Sequence, residues 1–323
     1  MSMKDAIKNF SQQFVYEPEI KNAEKLLQYK NYIVAGMGGS HLAADLLKIS
    51  NPNIPLIIHE NYGLPNVSDE LLQNSLLIAS SYSGNTEEVL DAYEKAKEKN
   101  LPLAAISIGG ELLKRAEADG IPYVQIPDTG IQPRSALGFT MKALLSLMNQ
   151  TESLAELETL SDILKPGDFE EKGKELAEEM HHHVPVIYSS KENEPLAYNW
   201  KIKFNETGKI PAFYNVFPEL NHNEMTGFDV QEKTKELSQK FYFIFLSDAK
   251  DHPRIKKRME VLKKLYKDRS LPVTEIAIEG KNTFDKIFSS LILADWTAYH
   301  TAELYGVEPD AVPMVEEFKK LIT

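Results

Sequence analysis

The strongest constraint on this chain is a recurring unit: a short apolar run that stops at a small or polar residue, usually with a helical pattern after it. Tyr32-Ile33-Val34-Ala35-Gly36 is the first such run, and a helix is predicted from His41 to Ile49. Leu56-Ile57-Ile58-His59 comes next. Ser75-Leu76-Leu77-Ile78-Ala79-Ser80 leads into a helix from Thr86 to Lys99, and Leu103-Ala104-Ala105-Ile106-Ser107 into a further one. Continuous apolar runs belong to strands buried on both faces, and strands alternating with helices imply a parallel sheet covered on both sides. A helix from about Thr140 to Met148 closes this half.

The pattern restarts at Val184-Pro185-Val186-Ile187-Tyr188-Ser189, passes a helix around 193–207, and continues through strand-like Ala212–Phe217, Phe241–Leu246 and Val273–Ile278. A long helix from about Thr283 to Tyr305 follows. The Glu- and Leu-rich stretch 151–180, with Pro166-Gly167 in its middle, reads as a connecting helical hairpin, and the polar stretch 3–29 as one N-terminal helix. The expected organisation is a first domain over 1–152, a helical connector over 153–182 and a second domain over 183–323. A chain of 323 residues is about twice the commonest domain size, which suits two cores.

Charge and composition narrow the partners. Lys and Arg total 36 against 48 Asp and Glu, a formal charge of −12. That field opposes nucleic acid and anionic membrane surfaces, so an anionic ligand would need a local nest of N–H groups and hydroxyls. Cysteine is absent, which removes disulfides, thiolate metal sites and Cys nucleophiles together. The start has no signal-peptide core and no run approaches the length of a membrane span, so the cytoplasm is the expected location. His181-His182-His183 lacks metal-ligand spacing, because neighbouring side chains point apart; no metal and no cofactor are expected.

Two turns could form the nest. Gly36-Met37-Gly38-Gly39-Ser40-His41 stands at a strand-to-helix turn, where glycines admit a close ligand and the helix offers free N–H groups. It fails the dinucleotide fingerprint, since His41 occupies the third glycine position, and a tight turn without a ligand is the alternative. Ser81-Tyr82-Ser83-Gly84-Asn85-Thr86 opens the next helix with three hydroxyls. Thr86 could be a plain N-cap, with Glu87 or Glu88 completing a capping box, but a cap leaves Ser81 and Ser83 unexplained. An anion without Lys or Arg partners needs several such donors, which suits a phosphate monoester.

These two motifs resemble the signature of the sugar isomerase (SIS) domain. Gln132-Pro133-Arg134-Ser135, Asn205-Glu206-Thr207-Gly208-Lys209 and Phe217-Pro218-Glu219-Leu220-Asn221-His222-Asn223-Glu224 further resemble one branch of it, the bifunctional phosphoglucose/phosphomannose isomerases of archaea and bacteria. The match runs in order from about residue 30 to Tyr305-Gly306-Val307-Glu308-Pro309. It implies an α/β fold of two SIS-type, flavodoxin-like αβα sandwiches, each around a mainly parallel sheet. It also implies interconversion of glucose 6-phosphate, and mannose 6-phosphate, with fructose 6-phosphate through a cis-enediolate, without metal.

Such chemistry needs a carboxylate to move a proton between C1 and C2, a fixed cation beside the enediolate, and an acid–base group to open the ring. By resemblance, Glu206 is the proton-transferring group, Arg134 the enediolate-stabilising cation and His222 the ring-opening residue. Gly39, Ser40, Ser81, Ser83, Thr86 and Arg134 hold the substrate. Sequence logic alone does not choose Glu206 over Glu219 or Glu224, and Lys201, Lys203 and Lys209 around it suit a solvated helix face. Counting back from Gly306-Val307 places His300 where relatives commonly carry a lysine, and Gly208 stands where they often have alanine. The resemblance also implies a homodimer with active sites at the subunit interface. A non-catalytic phosphosugar sensor or regulator is the competing class, though no helix-turn-helix segment or basic face is evident.

Overall fold

The computed structural model describes residues 1–322. The chain separates into two compact units, one of Met1 with Lys8–Leu164 and the other of Ser2–Ile7 with the chain from Lys165 onward.

In the first unit the strands are β1 (Ile20–Lys21), β2 (Asn31–Gly36), β3 (Leu56–His59), β4 (Ser75–Ser80), β5 (Leu103–Ser107) and β6 (Tyr123–Gln125). They lie in the order β1-β6-β5-β4-β2-β3, and every pair is parallel except β1 with β6. Numbered from β2, the parallel strands follow the order 2-1-3-4-5, the flavodoxin-like winding. Every residue of β4 and of β5 is buried, as continuous apolar runs require. Leu77, Ala79, Ala105, Val89, Tyr93 and Leu112 form one packed core on a face of this sheet.

The second unit repeats the winding with one strand fewer. Its strands are β7 (Val184–Ser190), β8 (Phe213–Phe217), β9 (Phe241–Ser247) and β10 (Val273–Ala277), in the order β10-β9-β7-β8, all parallel. From β7 the order is 2-1-3-4. Pro185 is tolerated because β8 begins pairing only at Val186, so its missing N–H leaves no gap in that ladder. The core here is aromatic: Tyr188, Phe217, Phe243, Phe245 and Tyr266 pack together, each worth about 1.5–3 kcal/mol of burial or more. The helix Thr283–Tyr305 starts at Asn282, whose side chain accepts from Asp285 N–H at 2.8 Å, and stops at Gly306 in the left-handed region.

One expectation fails outright. The stretch 3–29 is not a single helix: Met3–Lys8 is helical, Phe10–Val15 is a 3-10 turn, and Ile20–Lys21 is the antiparallel edge strand. Pro18 bars a continuous helix, and Phe10 and Phe14 bury themselves in contact at 5.8 Å between ring centres. Tertiary burial overrides local propensity here. The helical stretch after Met148 is shared between the units. Thr151–Glu158 and Leu160–Ile163 pack in the first, whereas Glu170–Glu179 lies along Thr283–Tyr305 in the second, with Gly173 admitting the close approach of Trp296.

Candidate functional site

In doubly wound sheets, ligands bind outside the carboxyl ends of the strands where the winding reverses. In the first unit that point lies between β2 and β4, whose last residues, Gly36 and Ser80, are register partners. The two motif turns leave from these residues, so the fold itself brings them together. Ser80 Oγ donates to Ser40 O at 2.8 Å, and Tyr82 N–H donates to Ser40 Oγ at 2.9 Å, tying one turn to the other. Ser81 Oγ and Thr86 Oγ1 are 2.8 Å apart, and Gly84 N–H donates to Ser81 Oγ at 3.0 Å. Ser83 stands exposed at the rim.

Thr86 occupies the N-cap position of the helix Glu87–Glu98 but makes no side-chain cap hydrogen bond. Its hydroxyl faces Ser81 instead. The capping-box alternative therefore does not hold, and the Thr86 side chain leaves the first N–H groups of this helix, which are the donors an anion would use, uncapped. Gly84 must be glycine: its φ is +72° and a Cβ would lie 1.9 Å from Gly109 O.

Arg134 enters the same region. A Cβ at Gly39 would lie 2.8 Å from the Arg134 amide nitrogen, so the glycine lets the turn 133–135 press against the nest. The Arg134 side chain is buried at 1% exposure. Behind it, Gln13 Nε2 donates to Ser135 O at 2.7 Å while Gln13 Oε1 accepts from Gly138 N–H at 2.9 Å and Phe139 N–H at 3.3 Å. Gln13 thereby pins the Arg134 turn to the helix Leu137–Leu147 that follows it. His41, adjoining the nest, is buried between Asp45 at 2.6 Å and Glu60 at 3.2 Å. Burial, with Asp128 adding to it, pushes the Tyr82 hydroxyl up to about 12, so it remains a phenol.

The remaining candidates lie in the second unit, on three separate elements. Glu206 ends the helix Glu194–Glu206 and is half-buried. The lysines around it have other roles. Lys203 is fully buried and paired with Asp295 at 2.9 Å, Lys201 lies 5.8 Å from the Tyr198 ring centre, and Lys209 Nζ donates to the carbonyls of Glu206, Pro309 and Ala311. The solvated-helix-face reading of this helix end is therefore wrong for Lys203, whose charge is held inside. At Gly208 a Cβ would meet Phe204 O at 2.9 Å, so the helix end is cut for glycine.

His222 ends the 3-10 turn Glu219–His222 with its side chain exposed. The turn is rooted by Leu220, which is buried, and Arg258 Nη1 donates to Asn221 Oδ1 at 3.2 Å. His300 is buried on the helix Thr283–Tyr305, stacked on Trp296 at 5.7 Å, with Nδ1 against Glu303 at 2.7 Å. Its Nε2 has no hydrogen-bond partner among the described residues. His181 and His182 stack at 3.8 Å and pack on Tyr305. Among the described residues, no helix is long and apolar enough to cross a membrane.

Gln13 and Glu224 were not singled out in the sequence, Glu224 entering only as an alternative base. Both act through contacts made elsewhere in the fold, and no local pattern announces them.

The chain is similar to known proteins over most of its length. Residues 169–322 match the bacterial phospho-glucose isomerase C-terminal SIS domain. The chain is 33% identical over 320 residues to the bifunctional phosphoglucose/phosphomannose isomerase of Aquifex aeolicus, covering 97% of this chain and 96% of that one. It is 36% identical over 304 residues to the protein of the same name from Caldicellulosiruptor bescii, covering 89% and 88%. Among solved structures, glucosamine-6-phosphate deaminase from Thermotoga maritima shares the fold, with a TM-score of 0.67 at 18% identity over 96% of each chain.

Proposed function

We propose that this chain, which belongs to the family of bifunctional phosphoglucose/phosphomannose isomerases, interconverts glucose 6-phosphate and mannose 6-phosphate with fructose 6-phosphate. The observation that carries this reading is the uncharged cradle at the winding reversal of the first unit, where Ser40, Ser81 and Thr86 converge and uncapped helix N–H groups stand beside them. A dianionic ester suits such a cradle, because several oriented dipoles replace a full counter-charge.

In this mechanism Gly39, Ser40, Ser81, Ser83 and Thr86 hold the phosphate end. Glu206 removes the proton from C2 of the open aldose and returns it to C1, while the hydroxyl proton passes from O2 to O1, giving the ketose; run backwards, the same carboxylate serves the reverse reaction. The Arg134 guanidinium offers its planar fork to the enediolate oxygens. His222 moves a proton between the ring oxygen and the C1 hydroxyl during ring opening, and His300 supplies an acid–base group where relatives place a lysine. Glucose and mannose 6-phosphates differ only at C2, which is planar in the enediolate, so one site serves both. The domain over 1–152 grips the ester, and that over 183–323 supplies the carboxylate and the imidazole. An exposed histidine on a firmly rooted turn suits donation to a second copy, so we place the site at the interface of a homodimer in the cytoplasm.

The test is a coupled assay from fructose 6-phosphate. Glu206→Gln lowers kcat by roughly 10²–10⁴-fold while leaving phosphosugar affinity within a few-fold. Near-full activity in that variant would remove Glu206 from its role. Mixing Glu206→Gln with His222→Ala chains restores part of the activity if sites are shared; verified mixed dimers without recovery would refute the sharing.

A further inference from the structure

We infer that Glu224 is a positioning residue for His222, an assignment that rests on the role proposed above for that histidine. Tyr188 on β7 and Asn215 on β8 are direct register partners on neighbouring parallel strands. Glu224, two residues beyond His222, bridges them: Tyr188 Oη donates to one carboxylate oxygen and Asn215 Nδ2 to the other. The orientation of the Asn215 amide is itself fixed, because its Oδ1 accepts from Val216 N–H at 2.8 Å. Tyr188 cannot move either, being fully buried against Phe217, Phe243 and Phe245. Desolvation drives its hydroxyl far above the ordinary range, so it stays protonated and remains a donor.

Both oxygens of Glu224 thus accept hydrogen bonds from groups locked in the sheet, which suits an anchor and not a proton shuttle. The segment is held on its other side too, by Leu220 in the core and Asn221 on Arg258. Between these anchors only His222 and Asn223 are exposed. Asn223 Nδ2 donates to Glu219 Oε1 at 3.0 Å and its Oδ1 accepts from Glu224 N–H at 2.5 Å, so it closes the turn on itself. The imidazole is left projecting from a backbone with no slack, which is the geometry that preorganises an acid–base group.

The donor–acceptor pattern supplies the experiment. Glu224→Gln turns an amide toward the Asn215 amide. Combining it with Asn215→Asp restores complementarity, since the new carboxylate on β8 accepts both from the introduced amide and from Val216 N–H. In the full chain, Glu224→Gln lowers kcat roughly tenfold or more with KM little changed, and the double variant recovers most of the loss. In a His222→Ala background the same Glu224→Gln change has no further effect on kcat. Tyr188→Phe, which removes one bond and keeps the ring, gives a smaller loss of the same kind. A Glu224→Gln enzyme with unchanged kcat, or losses that multiply with His222→Ala, would overturn the assignment. If the wild type lacked isomerase activity, the proposed function would fail separately. The His222 ring proton resonance would then decide this inference: one sharp line in the wild type and a broadened or split one in Glu224→Gln uphold it, and identical lines overturn it.

Discussion

The two units wind their sheets in the same order, so each has a reversal point at the carboxyl ends of its central strands, yet the two crevices are filled oppositely. In the first, glycines and hydroxyls line the turns, and the helix Glu87–Glu98 starts without a side-chain cap. In the second, the turns after β7 and β9 are closed by their own side chains. Asn193 Nδ2 donates to Ser190 Oγ at 3.1 Å and Asp251 Oδ1 at 3.4 Å, Asp248 N–H donates to Asp251 Oδ2 at 2.8 Å, and Lys286 pairs with Asp248 at 2.8 Å. Topology creates the opportunity twice, and side-chain chemistry fills the second crevice with carboxylates where the first carries hydroxyls. The carboxylates of Asp248 and Asp251 repel phosphate where hydroxyls attract it.

The harshest challenge to this contrast is to make the first crevice resemble the second. Ser81→Asp places a carboxylate where the ester would lie and raises the Kd for fructose 6-phosphate by roughly 100-fold or more. Titration calorimetry checks it, with one phosphosugar bound per wild-type chain; two would mean that the second crevice also binds.

A gentler probe compares the glycines at which the units bring backbone close to a candidate group. Gly39→Ala forces the Arg134 turn away by several tenths of an ångström and costs roughly 10–100-fold in kcat/KM. Gly208→Ala, beside Glu206, costs less, because the crowding there is with a helix carbonyl at the chain's own turn. Equal losses in both would erase the distinction.

Gln13→Ala removes three buried hydrogen bonds, one to Ser135 O and two from the first N–H groups of the Leu137–Leu147 helix, costing roughly 1–3 kcal/mol by thermal or urea unfolding.

The smallest effect is in the second crevice. Burial raises the Asp251 carboxyl above its ordinary value, so the native state binds its proton more tightly than the unfolded chain does. Its contribution is therefore favourable below the unfolded value and is lost as pH rises through the folded one. Because an Asn here would turn its NH2 toward Asn193 Nδ2 or Asp248 N–H, the readout is the pH dependence: the wild-type Tm falls relative to that of Asp251→Asn by roughly 2 °C between about pH 4 and pH 7, with phosphosugar affinity unchanged.

Much of this was legible in the sequence because apolar runs ending at small residues fix both strand burial and the place where a turn must begin. The motifs at 36–41 and 81–86 fall at the reversal point for that reason. What was not legible depends on contacts between distant parts of the chain. Nothing near Gln13 indicates that its amide will face Ser135, and the edge strand Ile20–Lys21 is too short to carry a period. Lys203 looked like one of three solvated lysines, because its partner Asp295 is on another helix. Glu224 could not be told from Glu206 or Glu219 by residue type; the register of Tyr188 against Asn215 makes the difference.

The Gln13 side chain is separated from Ser135 by 122 positions and from Gly138 by 125. Loops of that size close late, after local helices and neighbouring strands have formed. During synthesis, a nascent chain ending short of Gly138 would hold both glycine-rich and serine-rich turns without the bracket that seats the arginine. The seat of Arg134 is therefore completed in a late step, and truncated fragments of the first unit would be poor surrogates for the whole.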